Sequence, residues 1–259
     1  MTRLDIPLID CHTHIGHLPG VVGEAFTPED LCYILDQQGA SFMLVSSASA
    51  TTIGQAYGTA EAVEMVKKYG DRLGGMWWIN PHDPAWQQDE QTAVEYGFRG
   101  IKIHPVLDHY AVEQAALEPI FACARQHGWP ILTHTDNDGT SMSAARYEPL
   151  IRAFPDVPLI LAHLRTEAIT LARRYDNVFL DTTYMEPYIV EVGVAALGAD
   201  KILFGSDAAE GFDVGRAPTR PRPPRSYAGL VDGLRQRGIS DADLEKICYQ
   251  NARTLFGLP

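Results

Sequence analysis

The chain is poor in features that mark several large protein classes. Its 259 residues include four cysteines with no CxxC pair, which argues for free, buried thiols in a reducing compartment. No apolar stretch reaches the roughly 18 uncharged residues that a membrane span needs. The first twelve residues, MTRLDIPLIDCH, have no apolar core of a signal peptide, so we expect a cytoplasmic protein.

Positive charge is also scarce. Lysine and arginine total 21 against 33 aspartates and glutamates, which gives a net charge of −12. A nucleic-acid footprint is therefore not expected, although a locally positive cleft can still bind an anionic substrate. Hydrophobic residues make up 46% of the chain, enough for a sizeable core.

Five short apolar runs each lead into a histidine or aspartate. They are PLIDCHTH (7–14), GIKIHP (100–105), PILTHTD (130–136), PLILAHL (158–164) and KILFGSDA (201–208). Such runs, bounded by proline or glycine, are typical of buried parallel strands. In a closed parallel barrel all strand carboxyl ends meet at one face. The sequence therefore predicts that six side chains converge there in a metal site: His12, His14, His104, His134, His163 and Asp207.

Strand-like and helix-like segments alternate throughout, which is typical of βαβ units. Eight strands are expected, at residues 6–10, 41–46, 72–79, 100–103, 131–133, 159–162, 178–181 and 202–205. Helices follow them, with two closing helices near 227–237 and 241–255. This pattern predicts an α/β fold, a (β/α)8 TIM barrel, as a single domain over 1–259. No Gly-rich phosphate loop follows the first strand, which argues against a doubly wound sheet.

The pair His12 and His14 is the strongest local signal. Side chains alternate along a strand, so both imidazoles face the barrel interior and can bind one ion. Asp10 shares that face one step deeper and is expected to have a supporting role. The ordinary alternative is that these are polar residues at a strand end, and the other strand-end histidines argue against it.

These motifs, in this order, resemble the amidohydrolase superfamily, in particular its branch related to aminocarboxymuconate-semialdehyde decarboxylase. The resemblance covers nearly the whole chain. It rests on the His-x-His of strand one, the histidines of PILTHTD and PLILAHL, and the FGSDA of strand eight. The closing NARTLFGL at 251–258 also looks like the C-terminal helix of that family.

The resemblance implies one divalent metal ion bound by His12, His14, His134 and Asp207. Three neutral imidazoles and a carboxylate suit Zn²⁺ and leave a position for water or substrate. Mn²⁺, Fe²⁺ or Co²⁺ remain alternatives. It also implies that His163 acts as an acid, a base or a transition-state stabiliser, with metal ligation as its alternative. Asp207 can bind the metal or its water and shuttle a proton.

Other strand-end residues are candidates for the substrate pocket. Lys102 and His104 share a face of strand four, and Trp78 and Tyr184 lie at the ends of strands three and seven. In other amidohydrolases a strand-four lysine is carboxylated and bridges two metals, so Lys102 has that alternative besides pairing with a carboxylate. The segment 211–225 carries four arginines that could clamp a substrate carboxylate: Arg216, Arg220, Arg222 and Arg225.

Three functions are compatible with these residues. The first is a metal-dependent hydrolase that acts on an amide, lactone or ester bond of a small substrate, with or without a carboxylate group. The second is a non-oxidative decarboxylase or a hydratase with the same ligands; characterised decarboxylases of this type are longer, which argues against it. The third is a non-catalytic barrel. We expect hydrolysis of a small molecule, a homodimer, and neither nucleic-acid nor membrane partners.

Overall fold

Eight parallel strands form the centre of the molecule. The computed structural model describes residues 4–18, 25–209, 212 and 226–259. The strands are β1 (Ile9–His17), β2 (Ala25–Phe26), β3 (Phe42–Ser47), β4 (Leu73–Trp78), β5 (Ile101–Ile103), β6 (Ile131–Thr133), β7 (Leu159–Leu161), β8 (Val178–Asp181) and β9 (Ile202–Leu203). Strands β3 to β9 follow β1 in chain order, each parallel to the one before. The short β2 pairs antiparallel with the end of β1.

Helices connect the strands. They are α1 (Pro28–Gln38), α2 (Ser49–Thr52), α3 (Gln55–Tyr69), α4 (Trp86–Glu95), α5 (Gln114–His127), α6 (Glu148–Ala153), α7 (Thr166–Arg174), α8 (Pro187–Leu197), α9 (Tyr227–Gln236), α10 (Asp241–Glu245) and α11 (Asn251–Leu255). A 3-10 turn, Ala144–Tyr147, precedes α6. Within the described ranges, none of these helices has the length and apolar character to cross a bilayer.

Backbone hydrogen bonds between β1 and the chain after β9 close the ring. The Cys11 amide donates to the Phe204 carbonyl at 3.0 Å, and the Asp207 amide donates to the His12 carbonyl at 2.8 Å. The His14 amide also donates to the Ala208 carbonyl. The prediction of a (β/α)8 barrel is therefore confirmed, and the first and last strands meet beside His12, His14 and Asp207.

Buried apolar side chains lie on both sides of the strands. One cluster joins strand residues such as Ile9, Leu44 and Ile160 to Phe256, just beyond α11. A larger cluster fills the space between the strands and the surrounding helices, with Trp77 and Phe121 among its fully buried members. All four cysteines are free and buried, as predicted.

The structure differs from the sequence prediction in the first strand and in the closing helix, and it contains the short β2 and α2, which were not predicted. The first strand begins at Ile9 instead of residue 6 and runs on to His17, with an irregular register against β3 between Asp10 and Thr13. The predicted closing helix 241–255 is interrupted by one wider turn, Lys246–Gln250. In that turn the Ile247 carbonyl accepts a hydrogen bond from the Phe204 amide at 2.8 Å, which diverts it from the helical pattern.

Candidate metal centre

Three predicted ligands lie together, two of them within β1 and the third four residues beyond the end of β9. His12, His14 and Asp207 each place a ligand atom within 4.8 Å of the others. Oδ1 of Asp207 is 3.0 Å from Nε2 of His14 and 3.5 Å from Nε2 of His12. The two imidazole rings meet edge to face, with centroids 5.1 Å apart. The irregular register of β1 therefore still leaves both histidines facing the same point.

Neighbouring side chains orient both rings. Nδ1 of His12 donates to Oδ2 of Asp181 at 2.7 Å, which places the lone pair of the ring on Nε2. Nδ1 of His14 lies 2.8 Å from Oγ of Ser46, a hydroxyl that can donate or accept and so permits either tautomer. Metal-binding histidines usually have their second nitrogen held in this way. The donor set and its orientation therefore fit a divalent metal ion.

The charge states also suit a cation. Burial lowers the pKa of His14 to about 4 and lowers the pKa of His134 and of His163, so these imidazoles are neutral at pH 7. Burial alone would raise the pKa of Asp207, but the hydrogen bond with His14 and the contact with His12 hold it well below its usual range. Neutral imidazoles beside an ionised carboxylate are the protonation states that metal binding requires.

Lys102 lies directly against this group. Its side chain has no exposed surface, and its Nζ is 2.7 Å from Nε2 of His12, the nitrogen that faces Asp207. Burial lowers the pKa of Lys102 to about 8. In this arrangement the ammonium donates to the lone pair that a metal ion would use. Lys102 and an ion at His12 therefore compete for one atom.

His134 stands apart from the three-residue group. Its Nδ1 is 3.2 Å from Nε2 of His163, and its ring stacks on His104 with centroids 4.2 Å apart. The ring of His104 stacks in turn on Trp78, at 5.7 Å and 5°. The structure thus brings His104, His134 and His163 together in one wall. This wall lies next to the group formed by His12, His14 and Asp207. Metal ligation by His134 stays a prediction.

Three residues of this face have left-handed backbone. His163, Asp207 and Tyr184 have φ of 70°, 67° and 62°. Such conformations cost about 1–3 kcal/mol for residues other than glycine and are concentrated at functional sites. The ring of Tyr184, 39% exposed, lies 6.0 Å from that of His163, at the rim of the opening. The backbone strain supports a functional role for these positions.

Three partners of the histidines were not predicted in that role: Asp181, Ser46 and Thr183. Oδ1 of Asp181 accepts from the His163 amide at 3.0 Å, and Oγ1 of Thr183 is 3.1 Å from Nδ1 of His12. Asp181 ends the apolar run of β8, so the rule that found the other candidates also points to it. Ser46 and Thr183 carry no comparable signal, since a hydroxyl near a strand end is common.

Asp10 takes the supporting place predicted for it. It is fully buried; its carboxylate accepts from the Ser206 hydroxyl at 2.5 Å and from the Tyr227 hydroxyl. Burial raises the pKa of Asp10 to about 6. Asp10 therefore joins β1 to the segment after β9 and is not part of the three-residue group. The arginines of 211–225 lie outside the described residues.

A parallel barrel that gathers histidines and an aspartate at the ends of its strands is of the class built for metal-dependent chemistry. The chain belongs to the amidohydrolase family, because the family model described as amidohydrolase matches residues 9–258. No curated protein matches the sequence significantly. The resemblance to the superfamily is confirmed.

Solved structures share the fold over nearly the whole chain. A probable 2-pyrone-4,6-dicarboxylic acid hydrolase from Acinetobacter baumannii, with citric acid bound, has a TM-score of 0.69 at 12% identity; the match covers 96% of this chain and 99% of that one. A 2,6-dihydroxybenzoate decarboxylase from Rhizobium has a TM-score of 0.73 at 17% identity, with 98% of each chain covered.

A third similar structure contains a metal. The 5-carboxyvanillate decarboxylase from Novosphingobium aromaticivorans, with bound manganese, has a TM-score of 0.71 at 14% identity and 98% coverage of both chains. At these identities the likeness shows the fold alone.

Proposed function

We propose that the protein is a metal-dependent hydrolase that opens an ester, lactone or amide bond in a small carboxylated molecule. One observation carries the proposal: Oδ1 of the ionised Asp207 lies 3.0 Å from Nε2 of His14 and 3.5 Å from Nε2 of His12. The other ring nitrogen of each histidine, Nδ1, contacts a neighbouring side chain that orients the ring. An ionised carboxylate at this position can serve as a metal ligand and as the base for water.

The proposed ion is held by His12, His14 and Asp207, with His134 as the fourth ligand expected from the family resemblance. It would supply a Lewis acid that polarises a carbonyl and acidifies water. Zn²⁺ is the proposed ion, on the ground that imidazole and carboxylate are its usual ligands. Mn²⁺ is the first alternative, since a similar decarboxylase binds it; Fe²⁺ and Co²⁺ accept the same ligands.

Asp207 and His163 have separate proposed roles in the reaction. Asp207 accepts the proton of the attacking water and passes it to the leaving group. His163, whose Nδ1 donates to the Thr183 carbonyl at 3.1 Å, stabilises the negative charge that develops on the substrate oxygen when its Nε2 is also protonated, a state that a bound anionic substrate favours. His104 and Trp78 form a stacked wall, and Tyr184 lies at the rim, where a flat, conjugated substrate can pack.

A carboxylated substrate is proposed on two grounds. The buried ammonium of Lys102 together with a divalent ion would outweigh the ionised Asp181 and Asp207, and the resulting net positive charge would attract anions. The similar proteins are also named for small carboxylic acids, among them 2-pyrone-4,6-dicarboxylic acid and 2,6-dihydroxybenzoate. Decarboxylation is the second candidate, favoured by the likeness to decarboxylases at TM-scores of 0.71 and 0.73.

One experiment separates the two reactions. The metal-loaded protein is incubated with a panel of carboxylated lactones, esters and aromatic acids, and both bond hydrolysis and CO₂ release are measured. Hydrolysis without CO₂ supports the proposal, whereas CO₂ release from an aromatic or dienoic acid replaces it with decarboxylation. Turnover of neither kind, with metal bound, would contradict both.

The Asp207→Asn variant identifies the base. Asparagine tolerates the left-handed backbone at this position, so the variant is expected to fold. Turnover should fall by about 10²–10⁴-fold, the usual contribution of a general base. Asp200→Asn, the same change at an exposed residue before β9, should leave turnover unchanged. Full activity of Asp207→Asn with metal bound would exclude the proposed role.

A further inference from the structure

A second group of metal-binding side chains lies between α4 and α5, away from the strand ends. Glu90, Cys123 and His127 each place a ligand atom within 4.8 Å of the others. Oε1 of Glu90 is 2.7 Å from Nε2 of His127. We propose that these three residues bind a Zn²⁺-like ion that joins the two helices. This outer site is independent of the proposed function.

The helices set the spacing of the ligands. Cys123 and His127 are four residues apart on α5, so they are neighbours on one face of that helix. Glu90 projects from α4, the preceding helix. His127 ends α5, and Gly128 follows with a left-handed backbone at φ 66°. An ion held here would therefore connect α4 to α5 through side chains that project from regular helices.

The donor atoms suit zinc. One sulfur, one imidazole nitrogen and one carboxylate oxygen are its common ligands, with a fourth position open to water. Zn–S of about 2.3 Å and Zn–N or Zn–O of about 2.0–2.2 Å place tetrahedral ligand atoms roughly 3.3–3.8 Å apart. The Glu90–His127 pair would have to part by roughly 0.5 Å, a small side-chain movement on that geometry.

The exposure of the three residues leaves room for an ion. The side chains of Glu90 and His127 are 31% and 18% exposed, which leaves a route for the ion and its water. Cys123 is 6% exposed beneath them. A bound cation would replace the thiol proton of Cys123 and offset the carboxylate charge of Glu90.

Cobalt provides a probe specific for this group. The protein, stripped of metal with a chelator, is titrated with Co²⁺ alone, and the near-ultraviolet charge-transfer band of a cobalt–thiolate bond is recorded. The candidate ligands at the strand ends include no cysteine, so their occupancy does not produce the band. We expect the band to saturate when one cobalt ion per chain has bound to this group. Cobalt that binds at other sites does not contribute to the band.

Matched variants assign the band to its ligands. Cys123→Ala should abolish it, and Glu90→Gln should weaken cobalt binding at this site at least tenfold. Cys32→Ala, which removes another buried helical thiol, should keep the band. Asp207→Asn should keep it too, which separates the outer site from the proposed active centre. Zn²⁺ should raise the melting temperature of the wild type by about 3 °C more than that of Cys123→Ala.

Other results would overturn the proposal. Absence of the band in the wild type would show that Glu90 and His127 form an ordinary ion pair, which contributes little. Persistence of the band in Cys123→Ala would place the thiolate elsewhere. If Cys123→Ala does not fold, the milder Glu90→Gln decides: unchanged cobalt affinity in that variant would contradict the site.

Discussion

The carboxylate of Asp181 fixes His12 from behind: its Oδ2 lies 2.7 Å from Nδ1 of the imidazole, and both side chains are almost completely buried. The other oxygen of the same carboxylate accepts from the backbone amides of His163 and Thr183. Burial alone would raise the pKa of Asp181, but the interaction with His12 brings it down to about 2. One ionised side chain thus orients a proposed ligand and the loop that carries His163.

Asp181→Asn should weaken metal binding at the strand ends by about 10–100-fold, because loss of an oriented partner usually has that effect on a ligating histidine. Binding is measured by competition with a chromophoric chelator. Asp176→Asn, at an exposed position just before the same strand, is the matched control. Equal affinities of Asp181→Asn and wild type would mean that Asp181 does not orient a ligand.

His163→Asn should lower kcat by about 10²–10⁴-fold with little change in KM, since the imidazole acts on charge that develops during the reaction. Asparagine accepts φ of 70°, so a folding defect is not expected. His109→Asn is the control, because His109 is exposed and also has a positive φ, 55°. A rise in KM alone would indicate a binding role instead.

Lys102→Met should raise the affinity of the strand-end site for Zn²⁺ by tenfold or more. The ammonium donates to Nε2 of His12 at 2.7 Å, and its removal frees that lone pair and one positive charge. Calorimetric titration in a Cys123→Ala background confines the measurement to this site, with Lys201→Met as control. Loss of one ion per chain in Lys102→Met would instead support a carboxylated, bridging Lys102.

Asp108→Asn should change the pH dependence of stability. Burial raises the pKa of Asp108 to about 6, so between pH 4 and 6 the folded protein holds a proton that the unfolded chain releases. The free energy of unfolding therefore falls as pH rises through this window. Asparagine cannot ionise, and it keeps an oxygen for Nε1 of Trp78, now 3.1 Å from Oδ2 of Asp108.

Between pH 4 and pH 7 the stability of Asp108→Asn relative to wild type should therefore increase, by up to about 3 kcal/mol. Urea unfolding at several pH values measures this difference. Asp71→Asn, at an exposed position, should follow the wild-type curve. Parallel curves for Asp108→Asn and wild type would contradict the prediction.

Much of the architecture followed from local sequence signals. The parallel strands from β3 to β9 lie within about two residues of their predicted bounds, since short apolar runs between glycines and prolines leave little choice. Thr27 caps α1, with a reciprocal bond to Asp30, and Gly39 ends it with φ 73°. The interrupted last helix could not be predicted, because it depends on a distant amide, that of Phe204.

The site was predictable in position and less so in detail. The convergence of His12, His14 and Asp207 could be predicted from the barrel topology alone. The separation of His134 from them was not readable, because it depends on ring stacking with His104 and contact with His163. The contact between Lys102 and His12 was equally hidden, since it joins strands that are not neighbours in the sheet.

The closure of the barrel has a consequence for the order in which the protein folds and binds its ion. His12 and Asp207 meet only where the first and last strands join, so the proposed ligand set does not exist until almost the whole chain has folded. Contacts between such distant residues form late, because the entropy of closing a long loop opposes them. An ion captured there would hold the two ends of the ring together and slow its reopening. Metal uptake would then be the last step of folding and metal release the first step of unfolding.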